Sequence, residues 1–372
     1  MLERLHIKNF TAFADADFEF GPGLNVIVGN NGTGKSHVLK LGYAVTQTVA
    51  FAKQIRRNKP KDEFDPVDFQ LSVSLALSSR LSAVFLPGTQ NKLVRNTADA
   101  QDAQIRASFG MEDDSYFSFS IKHSEQPSNS IGAEQPFRFS AELIATPVFI
   151  PAKEILSLMP DILGISKNNP DVFDSTYLDL ATQLTIRVPK TPPVFAKPIL
   201  NKWADIMQGE IQSEDGRFYF YPKNGARFRV GLAAEGFRKL GTLSHLIAIG
   251  SLNKNATLFW DEPEANLNPA LLRELAKVLA ELARQGFQII LATHSIGLLK
   301  EFHILSRHKD AKPMPIKYFG LNAQVGNSTT IVTNDNFEYL PDVVALEVEL
   351  EQADDLEEIF VREDQERHAK NK

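Results

Sequence analysis

The chain contains no cysteine, which excludes disulfides, zinc–thiolate sites and thiol nucleophiles together. It also has no apolar run near the roughly 18 residues that a membrane-crossing helix needs. Its first residues, MLERLHIKNF, have neither the long apolar stretch nor the small-residue cleavage site of a secretory signal. These absences give the expectation of a cytoplasmic protein with no membrane contact. Excess positive charge is lacking too. The formal net charge is −6, which argues against a uniformly basic nucleic-acid binder and leaves room only for a local patch. One such cluster exists, Lys53, Arg56, Arg57, Lys59 and Lys61, which reads either as a solvated helix end or as a contact for DNA or RNA phosphates. Sustained heptads, internal repeats and low-complexity segments are all missing, so no long coiled-coil arm is expected.

What is present is a phosphate-binding pattern. Gly29-Asn30-Asn31-Gly32-Thr33-Gly34-Lys35-Ser36 fits GxxxxGK[ST] at every fixed position. The apolar run Leu24 to Val28 before it reads as a buried strand, and Ser36 to Tyr43 after it reads as a helix. The glycines therefore fall where strand turns into helix, and the backbone N–H groups of Asn30, Asn31, Gly32, Thr33 and Gly34 converge on phosphates. Lys35 is expected to reach the β- and γ-phosphates and Ser36 to hold Mg²⁺.

Two further strand ends carry polar chemistry. Thr257 to Trp260 is an apolar run ending in Asp261-Glu262, which suits a carboxylate that organises Mg²⁺ followed by one that acts as base on the attacking water. Gln288 to Thr293 is a second apolar run ending in His294, where a neutral imidazole can hydrogen-bond the γ-phosphate or the water. Either motif alone is common in purely structural roles. Their order and spacing after a phosphate loop make them one site.

The expected organisation is four segments. Residues 1–153 form a nucleotide-binding lobe that opens on a β-hairpin and includes an antiparallel β-layer, read from Gln70 to Leu77, Ala83 to Leu86, Tyr116 to Ile121 and Phe137 to Leu143. Residues 154–216 form a mainly helical insertion broken by Pro189, Pro192 and Pro193. Residues 217–335 begin with a hairpin around Pro222-Lys223-Asn224-Gly225 and continue as alternating strands and helices. Residues 336–372 form a charged C-terminal helix and tail.

At this point the chain resembles the ATP-binding-cassette (ABC) type ATPases of the SMC, RecF and OLD group. The matching stretches are LHIKNFTAFADADFEFGPGLNVIVGNNGTGKS, AAEGFRKLGTL at 233–243, TLFWDEPEANLNP at 257–269 and QIILATHS at 288–295. More narrowly, it looks like short stand-alone bacterial ATPases of AAA type, many of which sit beside a partner gene in anti-phage or toxin–antitoxin settings. The resemblance implies an α/β ABC-ATPase head, a P-loop NTPase fold, using ATP and Mg²⁺. It also implies a head-to-tail homodimer, or a larger assembly, sandwiching two ATP molecules between each phosphate loop and the partner's signature segment. By position, Ala234-Glu235-Gly236-Phe237 replaces the family's Ser-Gly-Gly-Gln/Glu, so only Gly236 matches and the serine is missing. Arg238 or Lys239 is then expected to supply the positive contact across the interface. Ala265 to Asn268 stands at the family's dimer-contact loop, and Lys153 and Glu154 stand near the position of its Mg²⁺-sensing glutamine.

Several functions compete on this pattern. The first is an ATP-driven switch that controls a partner effector from a neighbouring gene, with slow, ligand-stimulated hydrolysis, in bacterial anti-phage defence. The alternative is a RecF- or SMC-like DNA repair or maintenance ATPase acting on DNA directly. A transporter subunit is disfavoured, because Lys35 and Gly236 are about 200 residues apart. An OLD-type nuclease needs a TOPRIM domain for which the 78 residues after His294 are too few.

Overall fold

Three apolar runs that carry no alternation decide the architecture. A strand buried on both faces reads as continuous Val, Ile and Leu, as parallel strands covered by helices do. In the computed structural model, which describes residues 1–58, 65–96, 101–110, 116–123, 131–133, 145–307, 312–323, 327–340 and 344–370, all three runs enter one central sheet.

The strands are β1 (Arg4–Phe10), β2 (Phe13–Glu19), β3 (Leu24–Gly29), β4 (Ala103–Ser108), β5 (Tyr116–Ile121), β6 (Ile131–Ala133), β7 (Val148–Ile150), β8 (Gly209–Glu214), β9 (Arg217–Pro222), β10 (Phe228–Arg229), β11 (Thr257–Asp261), β12 (Gln288–Thr293), β13 (Ile316–Asn322) and β14 (Thr330–Asn334). The helices are α1 (Lys35–Asn58), α2 (Pro66–Phe85), α3 (Met159–Ser166), α4 (Ser175–Leu184), α5 (Ala196–Met207), α6 (Glu235–Ala248), α7 (Pro269–Arg284), α8 (Ile296–Arg307) and α9 (Val344–Lys370). The central sheet has the order β14-β13-β3-β12-β11-β7, parallel except for the edge strand β14. A second, antiparallel sheet has the order β2-β1-β4-β5-β6, and a third is β10-β9-β8.

The period-2 alternation of a strand divides the central sheet between two cores. Val26, Val28, Leu258, Trp260, Ile289 and Leu291 face the core built with α5, α6 and α7. Ile27, Phe259, Ile290 and Ala292 face the other, which holds α1, α2 and the inward faces of β1, β2, β4 and β5. Helix α1 is thus enclosed between two sheets, and 13 of its residues are buried. That burial fixes the orientation of the loop from which it starts.

The N-terminal hairpin forms as expected, with Leu5 opposite Phe18 and Phe10 opposite Phe13. The hairpin around Pro222 to Gly225 also forms, as β9 and β10. Three expectations need correction. Gln70 to Leu77 and Ala83 to Leu86 are not strands: 70–77 and 83–85 lie within α2, and Leu86 is its C-cap. The alternation Leu71-Val73-Leu75-Leu77 mimics a strand, yet Phe69, Val73, Leu77, Leu81 and Val84 make a buried helical stripe while Leu71 and Leu75 are exposed. Asp65 caps that helix by accepting from the Val67 N–H at 2.8 Å, and Pro66 occupies its first turn. The third correction is β8, a strand at the end of the stretch 154–216 expected to be mainly helical, drawn into a sheet by pairing along β9 from Gly209–Pro222 to Glu214–Arg217. The expected strand Phe137 to Leu143 lies outside the described residues, as do Lys59 and Lys61. Helices α3, α4 and α5 fill the expected insertion. Among the described residues no coiled-coil arm is present, and no helix is long and apolar enough to cross a membrane.

Candidate nucleotide-binding site

Parallel strands in register bring their C-terminal ends to one edge, the usual place for a ligand in an open α/β sheet. Here Asp261 of β11 pairs with Ala292 of β12, and Thr293 pairs with Val28 of β3. The phosphate loop, the Asp261-Glu262 pair and His294 therefore meet at one rim, although they are far apart in sequence.

The loop between β3 and α1 needs its glycines. Gly32 and Gly34 have φ of +83° and +94°, the left-handed region that side chains disfavour. At Gly34 a Cβ would also come within 2.8 Å of the Phe13 ring. Thr33 Oγ1 donates to the Asn30 carbonyl at 2.9 Å, and Thr329 Oγ1 donates to the Thr33 carbonyl at 3.0 Å, tying the loop to the β13–β14 connection. Lys35 Nζ lies inside its own loop, donating to the Gly29 and Asn30 carbonyls at 2.7 and 2.9 Å. Burial pushes the Lys35 pKa down, against the opposing pull of Glu262, Asp261 and Glu264. Asn30, Asn31 and Gly32 are exposed, so the loop's rim faces solvent.

Asp261 sits at the end of a strand whose previous four residues are buried. Burial pushes its carboxyl pKa up, and a hydrogen bond from Ser36 pulls it down. Its Oδ1 is buried without a partner among the described residues. A hydroxyl and a carboxylate with an orphaned oxygen are a fitting donor set for Mg²⁺, which takes few protein ligands and completes its shell with phosphate oxygens and water.

Glu262 adopts a left-handed φ of +46°, while its N–H still donates to the Ala292 carbonyl at 2.9 Å. That turn aims its carboxylate along the rim, 3.2 Å from His294 Nδ1. Glu264 is a site residue that sequence reasoning missed. Its Oε1 accepts from Thr293 Oγ1 at 2.6 Å and from the His294 N–H at 3.2 Å, so it fixes the end of β12. The signal was present as a third acid, three residues after Asp261, but only the fold shows what it holds.

The signature segment makes its contacts within its own protomer. Ala234 caps α6 with no side-chain hydrogen bond, as the missing serine implies. Gly236 packs inward, and a Cβ there would lie 2.8 Å from Leu271 Cδ1, so a larger residue would have to push aside the end of that leucine side chain. Arg238 and Lys239 are also turned inward within their own protomer. Arg238 Nε donates to Glu154 at 2.7 Å and NH1 donates to the Ala233 carbonyl at 2.7 Å. Glu154 is nearly fully buried and also accepts from the Ser157 N–H and hydroxyl, so its oxygens are occupied. Lys239 Nζ, also buried, donates to the Glu262 carbonyl at 3.2 Å, and burial lowers its pKa. The reason is local: both cations find buried carboxylates or carbonyls beside α6, so neither points outward as a finger. Lys153 is exposed. In the loop before α7, Asn266 Nδ2 donates to Glu235 at 2.8 Å, and Asn268 caps α7 by accepting from the Leu271 N–H at 2.9 Å.

The chain is similar to several known proteins. The sequence profile of the family described as "AAA domain, putative AbiEii toxin, Type IV TA system" matches residues 24–300. A stretch of 39 residues, 10% of this chain, is 51% identical to 11% of the DNA replication and repair protein RecF of Porphyromonas gingivalis. A stretch of 53 residues, 14% of this chain, is 36% identical to 9% of the Old nuclease of Escherichia phage P2. The chain thus spans about a tenth of the length of these curated relatives. Among solved structures, an SmcHead bound to the C-winged helix domain of ScpA superposes with a TM-score of 0.53 and 17% identity, covering 91% of this chain and 98% of that one. At that identity the likeness concerns the fold alone.

Proposed function

The chain belongs to that AAA-domain family, as an ABC-type ATPase of the SMC, RecF and OLD group, and from this premise we propose that it is an ATP-driven switch controlling a partner effector. The observation that carries the reading is the register that sets Lys35, Ser36, Asp261, Glu262 and His294 along one sheet edge. The exposed backbone N–H groups of the loop bind the phosphates, and Lys35 leaves its loop carbonyls to reach the β- and γ-phosphates. Ser36 and Asp261 hold Mg²⁺, which when bound neutralises charge on the transferring phosphoryl group. Glu262 accepts the proton of the attacking water, and His294, in contact with Glu262 at 3.2 Å, orients the water or senses the γ-phosphate. Glu264 keeps His294 in place through its main chain.

In this proposal a second copy covers the nucleotide with the start of α6 around Gly236, giving an ATP-sandwich homodimer. Hydrolysis is slow and is stimulated by a partner or ligand, and the α3–α5 segment transmits closure to the effector. The family's description as a type IV toxin–antitoxin component supports a defence setting with a separate partner from a neighbouring gene. The RecF-like stretch supports a second reading, direct action on DNA in repair or maintenance. Glu262→Gln with Mg–ATP, assayed for mass in solution and for co-purifying protein or nucleic acid, separates the two. Assembly with a neighbour's product supports effector control, DNA capture by the dimer alone supports the second reading, and a nucleotide-loaded monomer refutes the sandwich.

A further inference from the structure

The helix that begins at the phosphate loop ends at a second concavity. Helix α1 has 24 residues, a length of about 36 Å at about 1.5 Å per residue. Its C-terminal half borders a cavity of about 770 Å³ whose other walls come from Arg80 of α2, the start of β7, the end of α4 and the α6–β11 connection. Lys53, Arg57 and Arg80 all line it, and none of its described lining residues is an Asp or Glu, in a chain whose net charge is −6. Arg80 pairs with Asp179 at 3.4 Å, and Lys53 and Arg57 give the wall a positive charge that favours an anion.

A second, independent observation concerns hydrogen bonding. Gln47 lines the cavity and is 7% exposed. Its Nε2 donates to the Tyr43 hydroxyl at 2.6 Å and to Asp179 Oδ2 at 3.2 Å, while the Tyr43 hydroxyl donates to Asp179 at 2.9 Å. Those acceptors fix which way the amide points, because only the NH₂ end can face them. Gln47 Oε1, on the other side, is buried with no partner among the described residues, and so is Oε1 of Gln183, another lining residue. A buried acceptor left unmade costs about 1–3 kcal/mol, so these two lining side chains gain by turning toward a donor-bearing occupant.

We propose that this cavity is an effector site for a free nucleotide, separate from the phosphate loop. Its phosphate pairs with Lys53 and Arg57, its base N–H groups donate to Gln47 and Gln183, and the exposed ring of Phe51 offers a face for stacking. The volume is within the usual range of about 300–1,000 Å³ for small-ligand sites. An occupant touches α1, α4 and the end of the signature helix's connection at once, so its binding biases the position of the phosphate loop relative to α6.

The test uses the full chain carrying Lys35→Ala, titrated by calorimetry with AMP, GMP, inorganic pyrophosphate and a short single-stranded oligonucleotide. Wild-type binding of Mg–ATP, measured in parallel, reports on the phosphate loop separately. Saturable binding of AMP or GMP at one per chain is expected, weakened about tenfold or more by Lys53→Ala or Arg57→Ala, the loss of one charge-assisted bond. Gln183→Leu, at a half-buried position that tolerates replacement, should weaken the nucleotide and leave pyrophosphate unchanged. Absence of nucleotide binding, or binding indifferent to these substitutions, overturns the proposal. Pyrophosphate binding as tightly as either nucleotide overturns base recognition, and an oligonucleotide binding tighter than both overturns the free-nucleotide assignment.

Discussion

Replacing Arg238 with methionine separates an internal brace from an intersubunit finger. In the fold its guanidinium meets Glu154 at 2.7 Å, with the two side chains 16% and 3% exposed. Methionine keeps much of the stem's packing but strands a buried carboxylate, and removing one partner of a buried pair costs about 3–5 kcal/mol. The two bonds from Ser157 remain, so the lower end, about 3 kcal/mol, is expected. Native domains have about 5–15 kcal/mol in hand, so the variant still folds. Urea unfolding followed by the fluorescence of the buried Trp203 and Trp260 reads the loss. With a slope of about 3 kcal/mol per molar, the midpoint falls by about 1 M. The double variant Glu154→Leu/Arg238→Met should recover most of that, since deleting both charges together is close to neutral. An unchanged midpoint in Arg238→Met with ATPase activity abolished would refute the brace and return Arg238 to the interface.

Three other outcomes follow from the site. Because burial raises the folded pKa of Asp261 above its unfolded value, this group's stability contribution is lost as pH rises through the folded pKa. Asp261→Asn should therefore melt higher than wild type at neutral pH without nucleotide, with the gap closing toward acid, while Mg–ATP no longer raises its Tm; an equal or lower nucleotide-free Tm would contradict this. Gly34→Ala must place a Cβ 2.8 Å from Phe13 at a φ of +94°, so fluorescent-ATP titration should show affinity weakened about tenfold or more. Lys239→Met removes the donor on the Glu262 carbonyl, so kcat should drop with ATP affinity unchanged, and Lys239→Arg should restore part of the rate; parallel losses in binding would mean a merely structural lysine.

How much could be read from the sequence depended on whether the signal was local. The phosphate loop and the strands Leu24 to Val28, Thr257 to Trp260 and Gln288 to Thr293 were legible because a continuous apolar run ending in polar residues is the pattern of a parallel strand buried on both faces that delivers its end to a site. Helix α2 was misread because Leu71, Val73, Leu75 and Leu77 satisfy a strand period while the longer i, i+4 stripe from Phe69 to Leu81 satisfies a helix. Strand β8 was missed because only its pairing with β9 defines it. The inward turn of Arg238 and Lys239 could not be seen either. It depends on Glu154 and the Glu262 carbonyl, 84 and 23 residues away, which only the packing of α6 against the central sheet brings close.

In the proposed function the rim at Asp261, Glu262 and His294 hydrolyses ATP bound at the phosphate loop. Phosphate release from wild type and Glu262→Gln at saturating Mg–ATP, with bound nucleotide quantified in the same samples, tests it most directly. Loss of a positioned base should slow turnover about 10²–10⁴-fold while the variant keeps ATP bound. Equal rates in the two proteins, or a variant that fails to retain ATP, would contradict the account.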